Sequence, residues 1–128
     1  IKLLDLRDTN LNNKKINLID VPFEQKKAFN KISNKSNDYI KKSFDIALKI
    51  LNKKITNKFI NGPISKKFFL KKKYLGITEY LAHKTKAKNF AMLIYNKNLS
   101  VCPITTHLPI KKISKKINKS MIKQKIQF

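Results

Sequence analysis

The chain has 128 residues, 30 of them Lys or Arg and 7 Asp or Glu, for a formal charge of +23; 41% are hydrophobic, with two Gly, one Cys and no Trp. That bounds it to one soluble domain or less with a modest core. Cys102, His83 and His107 are the only Cys and His, which excludes an internal disulfide and a self-contained four-ligand zinc module. Gly62 and Gly76 are too few for a G-x-G-x-x-G or P-loop phosphate cradle.

Ile rather than Met opens the chain, and Ile1-Lys2-Leu3-Leu4-Asp5-Leu6 reads as the interior of a longer protein. The segment Ile1 to Asp8 lacks the apolar core of a signal peptide, and a cytoplasmic protein is expected. Asp8 to Lys15 is a polar loop with Asn10, Asn12 and Asn13 as turn formers. Ile16 to Val21 reads as a short strand closed by Pro22, and Lys26 to Asn34 as irregular. Ser36 is placed to cap a helix with Asp38 in its first turn. Ile40, Phe44, Ala47, Leu48 and Leu51 follow at helical spacing, predicting a helix over Ser36 to Asn52.

Phe59 and Ile60 read as the end of a strand running into Asn61-Gly62-Pro63. Thr78 is placed to cap a second helix through Thr85, with Glu79 near its positive end. The longest apolar run, Phe90 to Tyr95, is far short of the roughly 20 residues that span a bilayer. It reads as a strand covered on both faces. Asn96-Lys97-Asn98 is too short for a helical crossover, so Leu99 to Pro103 is expected beside it and antiparallel, with Cys102 a small core residue. Pro109 starts a final helical region in which Ile110, Ile113 and Ile117 repeat at three and four. Strands interspersed with helices give an α/β or mixed class.

The charge invites a nucleic-acid reading. The positive residues, however, are 29 Lys and the single Arg7, scattered from Lys2 to Lys125. The residue that grips phosphate and guanine bidentately is almost absent. Lys, Ile and Asn together make 61 of the 128 residues. All three have A- and T-rich codons, so codon bias accounts for the three together where nucleic-acid binding accounts for Lys alone. A solvated basic surface, without specific nucleic-acid recognition, is the expectation.

Three segments carry candidate chemistry at strand ends or helix starts. In Asn61-Gly62-Pro63-Ile64-Ser65-Lys66, Gly permits close backbone approach and Lys66 offers a cation to phosphate or carboxylate; equally, a lysine after a turn is ordinarily just solvated. Gly76-Ile77-Thr78-Glu79-Tyr80 presents helix-start donors and a hydroxyl to an anion, or is an ordinary N-cap. Ile104-Thr105-Thr106-His107-Leu108-Pro109 places His107 to ligate a metal or move a proton, or to be satisfied by its own backbone neighbours. His83, in a Lys-rich stretch, is expected to be exposed. No Ser has a nucleophile-elbow context.

Gly62-Pro63-Ile64-Ser65-Lys66, Gly76-Ile77-Thr78-Glu79-Tyr80-Leu81-Ala82 and Thr105-Thr106-His107-Leu108-Pro109-Ile110, in this order, resemble the 4-hydroxythreonine-4-phosphate dehydrogenase family. Asp20-Val21-Pro22 and the helix from Ser36 fit the preceding segment, so the resemblance covers nearly the whole chain. Family members are more than twice as long, and residues 1–128 would then be an internal piece with no separate domain boundary. The resemblance implies an α/β fragment of a two-domain isocitrate/isopropylmalate dehydrogenase-like fold, forming a homodimer with the active site at the interface. It implies oxidation and decarboxylation of 4-phosphooxy-L-threonine with NAD, in pyridoxal 5'-phosphate biosynthesis. It also implies a divalent metal (Zn, Mg or Co) held by three histidines. His107 matches the first of these. Thr78 matches a substrate-binding threonine, and Lys66 is a further candidate contact. The family position before that threonine is normally His and here is Ile77. The family's C-terminal Lys, Asn and Arg substrate contacts have no counterpart in this chain, and no general base or NAD-binding residue is assigned. A dehydrogenase of a related phosphorylated four-carbon sugar acid is the near alternative, and a basic nucleic-acid-binding protein the alternative of another class.

Overall fold

A computed structural model describes residues 2–3, 11–12 and 14–127. The expected turn formers Asn10 and Asn13, and most of the segment Ile1 to Asp8, lie outside the described residues. The chain divides into two compact units, one ending at Lys71 and one beginning at Lys72. The regular structure among the described residues is mainly helical, with little strand.

In the first unit, β1 (Lys2–Leu3) pairs in parallel with β2 (Asn17–Leu18), Lys2 opposite Asn17 and Leu3 opposite Leu18. Asn12 and Asn17 brace the approach to β2: the Asn12 backbone N–H donates to Asn17 Oδ1 at 3.0 Å, and Asn17 Nδ2 donates to the Asn12 carbonyl at 3.1 Å. The strand expected over Ile16 to Val21 is thus reduced to two residues. Its described partner offers only two, and a strand extends no further than its ladder.

Helix α1 (Asn37–Asn52) follows a 3-10 turn at Asn34–Ser36. Its apolar stripe is as expected: Phe44 is buried at 4% exposure, Ile40, Ala47, Leu48 and Leu51 are half-buried, and Lys41, Lys42 and Lys49 face solvent. The cap differs. Ser36 is already turned into helical backbone and makes no side-chain cap; Ser33, in extended backbone, opens the 3-10 turn by accepting from the Lys35 N–H. Only an extended residue can aim its side chain back at the first free amides. At the other end, Lys54 adopts φ 58°, and Ile55 N–H reaches the Ile50 carbonyl at 3.4 Å, closing the helix in a left-handed cap made without glycine.

Phe44 organises this unit. Its ring meets Phe59 edge-on at 5.6 Å and stacks with Phe69 at 6.0 Å. Phe69 belongs to a single π-helical turn, Lys66–Leu70, that Ser65 opens by accepting from the Phe68 N–H and that ends on Leu70, 3% exposed. Asn37 Nδ2 donates to the Phe68 carbonyl at 3.0 Å, tying the start of α1 to this turn. Phe59 and Ile60 form no strand. Among the described residues no backbone pairs with them, Phe59 is held by its ring alone, and Ile60 is 95% exposed.

In the second unit, α2 (Ile77–Thr85) buries Tyr80 and Ala82. Thr78 is not its cap: Gly76, extended at φ −159°, is the N-cap and has no side chain to offer, which puts Thr78 inside the first turn. The stretch Phe90 to Tyr95 is not a covered strand. It pairs with Leu99 to Pro103 in the expected antiparallel sense, but through the single bridge Ile94–Val101, with bonds of 2.8 and 2.9 Å. Leu93, Ile94 and Tyr95 are exposed, Tyr95 at 76%. With no third strand beside them among the described residues, a two-strand ribbon this short is not held regular. Cys102 is exposed and outside any strand, so it is not a core residue.

Helix α3 (Ile110–Lys116) begins after Pro109 as expected, whereas Ile117 falls past its end in extended backbone. Helix α4 (Lys119–Ile126) is capped by Asn118, whose side chain accepts from the Met121 N–H at 2.9 Å. From α4, Lys125 Nζ donates to the Phe90 carbonyl at 2.6 Å and lies 5.3 Å from the Phe90 ring centre. No described helix is long and apolar enough to cross a membrane.

Phe44→Ala should destabilise the first unit by about 3 kcal/mol, because it removes a buried ring and leaves Phe59 and Phe69 facing a void. Urea unfolding followed by circular dichroism checks this; a loss below about 0.5 kcal/mol, the level of an ordinary surface substitution, would mean that the phenylalanine cluster is not the core.

Candidate functional site

The second unit brings two of the three sequence segments together. Gly76 to Tyr80 forms the first turn of α2, and Thr105 to Pro109 lies against it. Thr106 Oγ1 donates to Glu79 Oε1 at 3.4 Å, a bond spanning 27 positions of sequence. The other carboxylate oxygen, Glu79 Oε2, is buried and has no hydrogen-bond partner among the described residues. Gly76 makes this arrangement possible. A Cβ on Gly76 would sit 2.9 Å from Glu79 Oε2 and 3.6 Å from His107 Nε2. The carboxylate and the imidazole therefore border the same small space, open because residue 76 has no side chain.

Glu79 stands third in α2, where a glutamate commonly reaches back to the cap residue's N–H. Here it turns to Thr106 instead. Its negative charge still lies at the positive end of the helix, which favours it there. A free anion over Gly76 would have to share that end with a carboxylate, so the position suits a donor, such as a hydroxyl or a cation, better than a phosphate.

His107 is exposed, and its backbone lies in the left-handed region at φ 59°. That region costs an L-residue about 1–2 kcal/mol. Such strain persists only where surrounding contacts hold it, here the Thr106–Glu79 bond before it and the start of α3 after it. The reading of His107 as satisfied by its own backbone neighbours gains no support, since no hydrogen bond joins its ring to them among the described residues.

A cavity of about 190 Å³ adjoins this cluster, bordered by Thr78, Glu79, Thr106, Phe90, Met92 and Lys125. It offers two hydroxyls, a carboxylate and an ammonium over an apolar floor, the composition of a small polar-ligand site. Ile77, the residue before Thr78, is half-buried and brings no polar atom. Lys66 belongs to the first unit, where it opens the π-helical turn with an exposed side chain. Gly62 is not needed for close backbone approach there, since a Cβ on it would meet nothing within 4 Å. His83 is exposed as expected but engaged: its Nδ1 lies 3.0 Å from the Tyr74 hydroxyl.

The described residues contain no group of three His, Cys, Asp or Glu that could hold a metal ion. One exposed imidazole and one carboxylate with a free oxygen are too few for a closed or catalytic metal site, so on their own they do not fit one. His107 is at most one donor of a larger set. Glu79 is the residue of this cluster that the sequence named only as a charge near the start of α2. The available signal was a glutamate three residues after a glycine cap, but its partner Thr106 lies in another segment.

A family model described as pyridoxal phosphate biosynthetic protein PdxA matches residues 2–128. A protein of a Sulfurihydrogenibium species named 4-hydroxythreonine-4-phosphate dehydrogenase is 33% identical over 115 residues, 88% of this chain and 34% of that protein. A Hydrogenobaculum protein of the same name is 40% identical over 81 residues, 61% of this chain and 26% of that protein. One from Aquifex aeolicus, also so named, is 38% identical over 69 residues, 52% of this chain and 21% of that protein. The chain thus spans about a third or less of the length of these relatives. No solved structure matches.

Gly76→Ala should cost about 1 kcal/mol by pushing Glu79 off Thr106, the worth of one ordinary hydrogen bond. Most of that cost should disappear in a Thr106→Val background, where there is no bond left to lose. Chemical denaturation of the four proteins of that cycle checks this; equal costs in both backgrounds would mean that the glycine matters for another reason.

Proposed function

The chain belongs to the PdxA family of pyridoxal phosphate biosynthetic proteins, and from that premise we propose that it works as part of an NAD-dependent dehydrogenase acting on 4-phosphooxy-L-threonine. The observation that carries the reading is the convergence of two of the three segments that resemble the family, Gly76 to Ala82 and Thr105 to Ile110, on one space in the second unit. The reaction moves a hydride from the carbon that bears the secondary hydroxyl to NAD and the hydroxyl proton to a base, and the resulting β-keto acid then loses CO2. NAD supplies the hydride acceptor, and none of the described residues is assigned to it.

The residues of this chain would orient the substrate. The Thr78 hydroxyl can both donate and accept at the edge of the cavity, and Lys125 places a positive charge on its border. Glu79 with Thr106 holds the loop that carries His107, and Gly76 keeps the adjoining space clear. Dependence on a divalent metal (Zn, Mg or Co) is part of the proposal, with His107 as one donor and the others outside the described set. A two-domain fold of the isocitrate/isopropylmalate dehydrogenase type, a homodimer with the site at its interface, a cytoplasmic setting and a small phosphorylated substrate belong to the same reading. Lys66 is retained as a candidate substrate contact.

The complete protein, incubated with 4-phosphooxy-L-threonine and NAD, should form NADH, and His107→Ala should lower turnover at least about a hundredfold, a loss of roughly 2.7 kcal/mol or more in the barrier. Absorbance at the NADH band reads both. Full turnover by His107→Ala would make His107 a structural residue, and oxidation of a phosphorylated four-carbon sugar acid in place of the amino acid would favour the related dehydrogenase.

Ile77 gives a second expectation. Ile can neither donate nor accept, so it forgoes a hydrogen bond that the usual family histidine can make, worth about 0.5–3 kcal/mol or roughly two- to a hundredfold in binding. Ile77→His should lower KM for the phosphorylated substrate, and Thr78→Val should raise it. An unchanged or worse kcat/KM in Ile77→His would show a pocket built around isoleucine and a substrate or binding pose unlike the family's.

A further inference from the structure

We propose that Glu79 is a positioning residue that sets the His107 imidazole through Thr106. Glu79 Oε1 takes the Thr106 hydroxyl, and Thr106 is bonded directly to the residue whose backbone is held at φ 59°. Beyond placing a negative charge at the start of α2, the carboxylate forms no other hydrogen bond among the described residues. It does not cap α2, whose N-cap has no side-chain bond, and Oε2 is buried without a partner among the described residues. A buried carboxylate oxygen left in that state has to be explained by something the carboxylate does. Its surroundings give the reason: Oε2 and His107 Nε2 face the same point above Gly76, 2.9 and 3.6 Å from it. The first turn of a helix is a rigid support, and a glutamate anchored there fixes the angle at which the following loop presents its imidazole.

The inference deepens the proposed dehydrogenase reading and rests on it for the catalytic consequence alone. Glu79 acts on the imidazole at one remove, so its loss should lower turnover and move the His107 signal together.

The test uses the complete protein with Glu79→Ala, Glu79→Gln, Thr106→Val and the double variant Glu79→Ala/Thr106→Val. Glu79→Ala and Thr106→Val should each lower kcat by roughly tenfold, and the double variant should be no worse than either single one, because both remove the same bond. Glu79→Gln should restore most of kcat, since its amide carbonyl still accepts from Thr106. The His107 Hε1 signal in the NMR spectrum should shift in Glu79→Ala and Thr106→Val and return towards the parent in Glu79→Gln, without a matching change in melting temperature. If Glu79→Ala leaves the kcat and the His107 signal of the parent, the proposal is overturned. It is equally overturned if the losses of Glu79→Ala and Thr106→Val multiply in the double variant, or if Glu79→Gln is as impaired as Glu79→Ala. Thr106→Val removes only a hydroxyl and keeps the test open should Glu79→Ala not fold. The NMR signal is read without substrate, so a protein that does not oxidise 4-phosphooxy-L-threonine but whose His107 signal follows Glu79 separates failure of the dehydrogenase reading from failure of this one.

Discussion

The absence of a side chain at residue 76 is the constraint on which the candidate site depends. An α-helix begins with unpaired N–H groups, and the usual remedy is a polar side chain at the cap. Gly76 offers none. It leaves a clear space over the first turn of α2 in which Glu79 can turn away from its own helix and reach Thr106. The His107 loop, with its left-handed residue, is then held from both sides. A longer side chain at the cap would finish the helix better and crowd the carboxylate.

The first unit packs the buried ring of Phe44 against the half-buried Phe59 and Phe69, and the second buries Tyr80 and Ala82 in α2 and carries the hydroxyl-bearing and acidic residues beside Gly76. The second unit also has specific polar ties: the closing bonds of α2, the Asn118 cap and the Lys125 bond to the Phe90 carbonyl. Many of the lysines behind the +23 charge stand on exposed faces, and the exposed faces of α1 and α3 show how they are spread. That distribution raises solubility and non-specific attraction to anions without shaping a recognition surface.

What could be read from the sequence was what local periodicity and local motif determine. Helix α1 is legible because Ile40, Phe44, Ala47, Leu48 and Leu51 make one stripe, and α3 because Pro109 marks its start. The caps were misread at Ser36 and Thr78, since cap identity depends on backbone angles that a serine or threonine does not by itself declare. Strands were overread. Phe59–Ile60 and Phe90–Tyr95 have strand-like composition, but a strand exists only through a partner, and the sequence of one segment does not say whether a partner is beside it. Cys102 follows from the same error. At the site, His107 and Thr78 were conspicuous in the sequence because contiguous strings surround them, and their roles as metal donor and substrate contact belong to the proposed function. Glu79 was not conspicuous, because its significance lies in a bond to Thr106 across 27 positions, a tertiary fact with no local signature.

Membership of the PdxA family, together with the meeting of Gly76 to Tyr80 and Thr105 to Pro109 at one space, supports the proposal that the complete protein oxidises and then decarboxylates a phosphorylated amino acid. The most direct measurement is stoichiometric: 4-phosphooxy-L-threonine labelled with 13C in its carboxyl group, given to the complete protein with NAD, while NADH and labelled CO2 are counted together. The account predicts one CO2 for each NADH. NADH formed without release of the label, or neither product at saturating substrate with a divalent metal supplied, would contradict it.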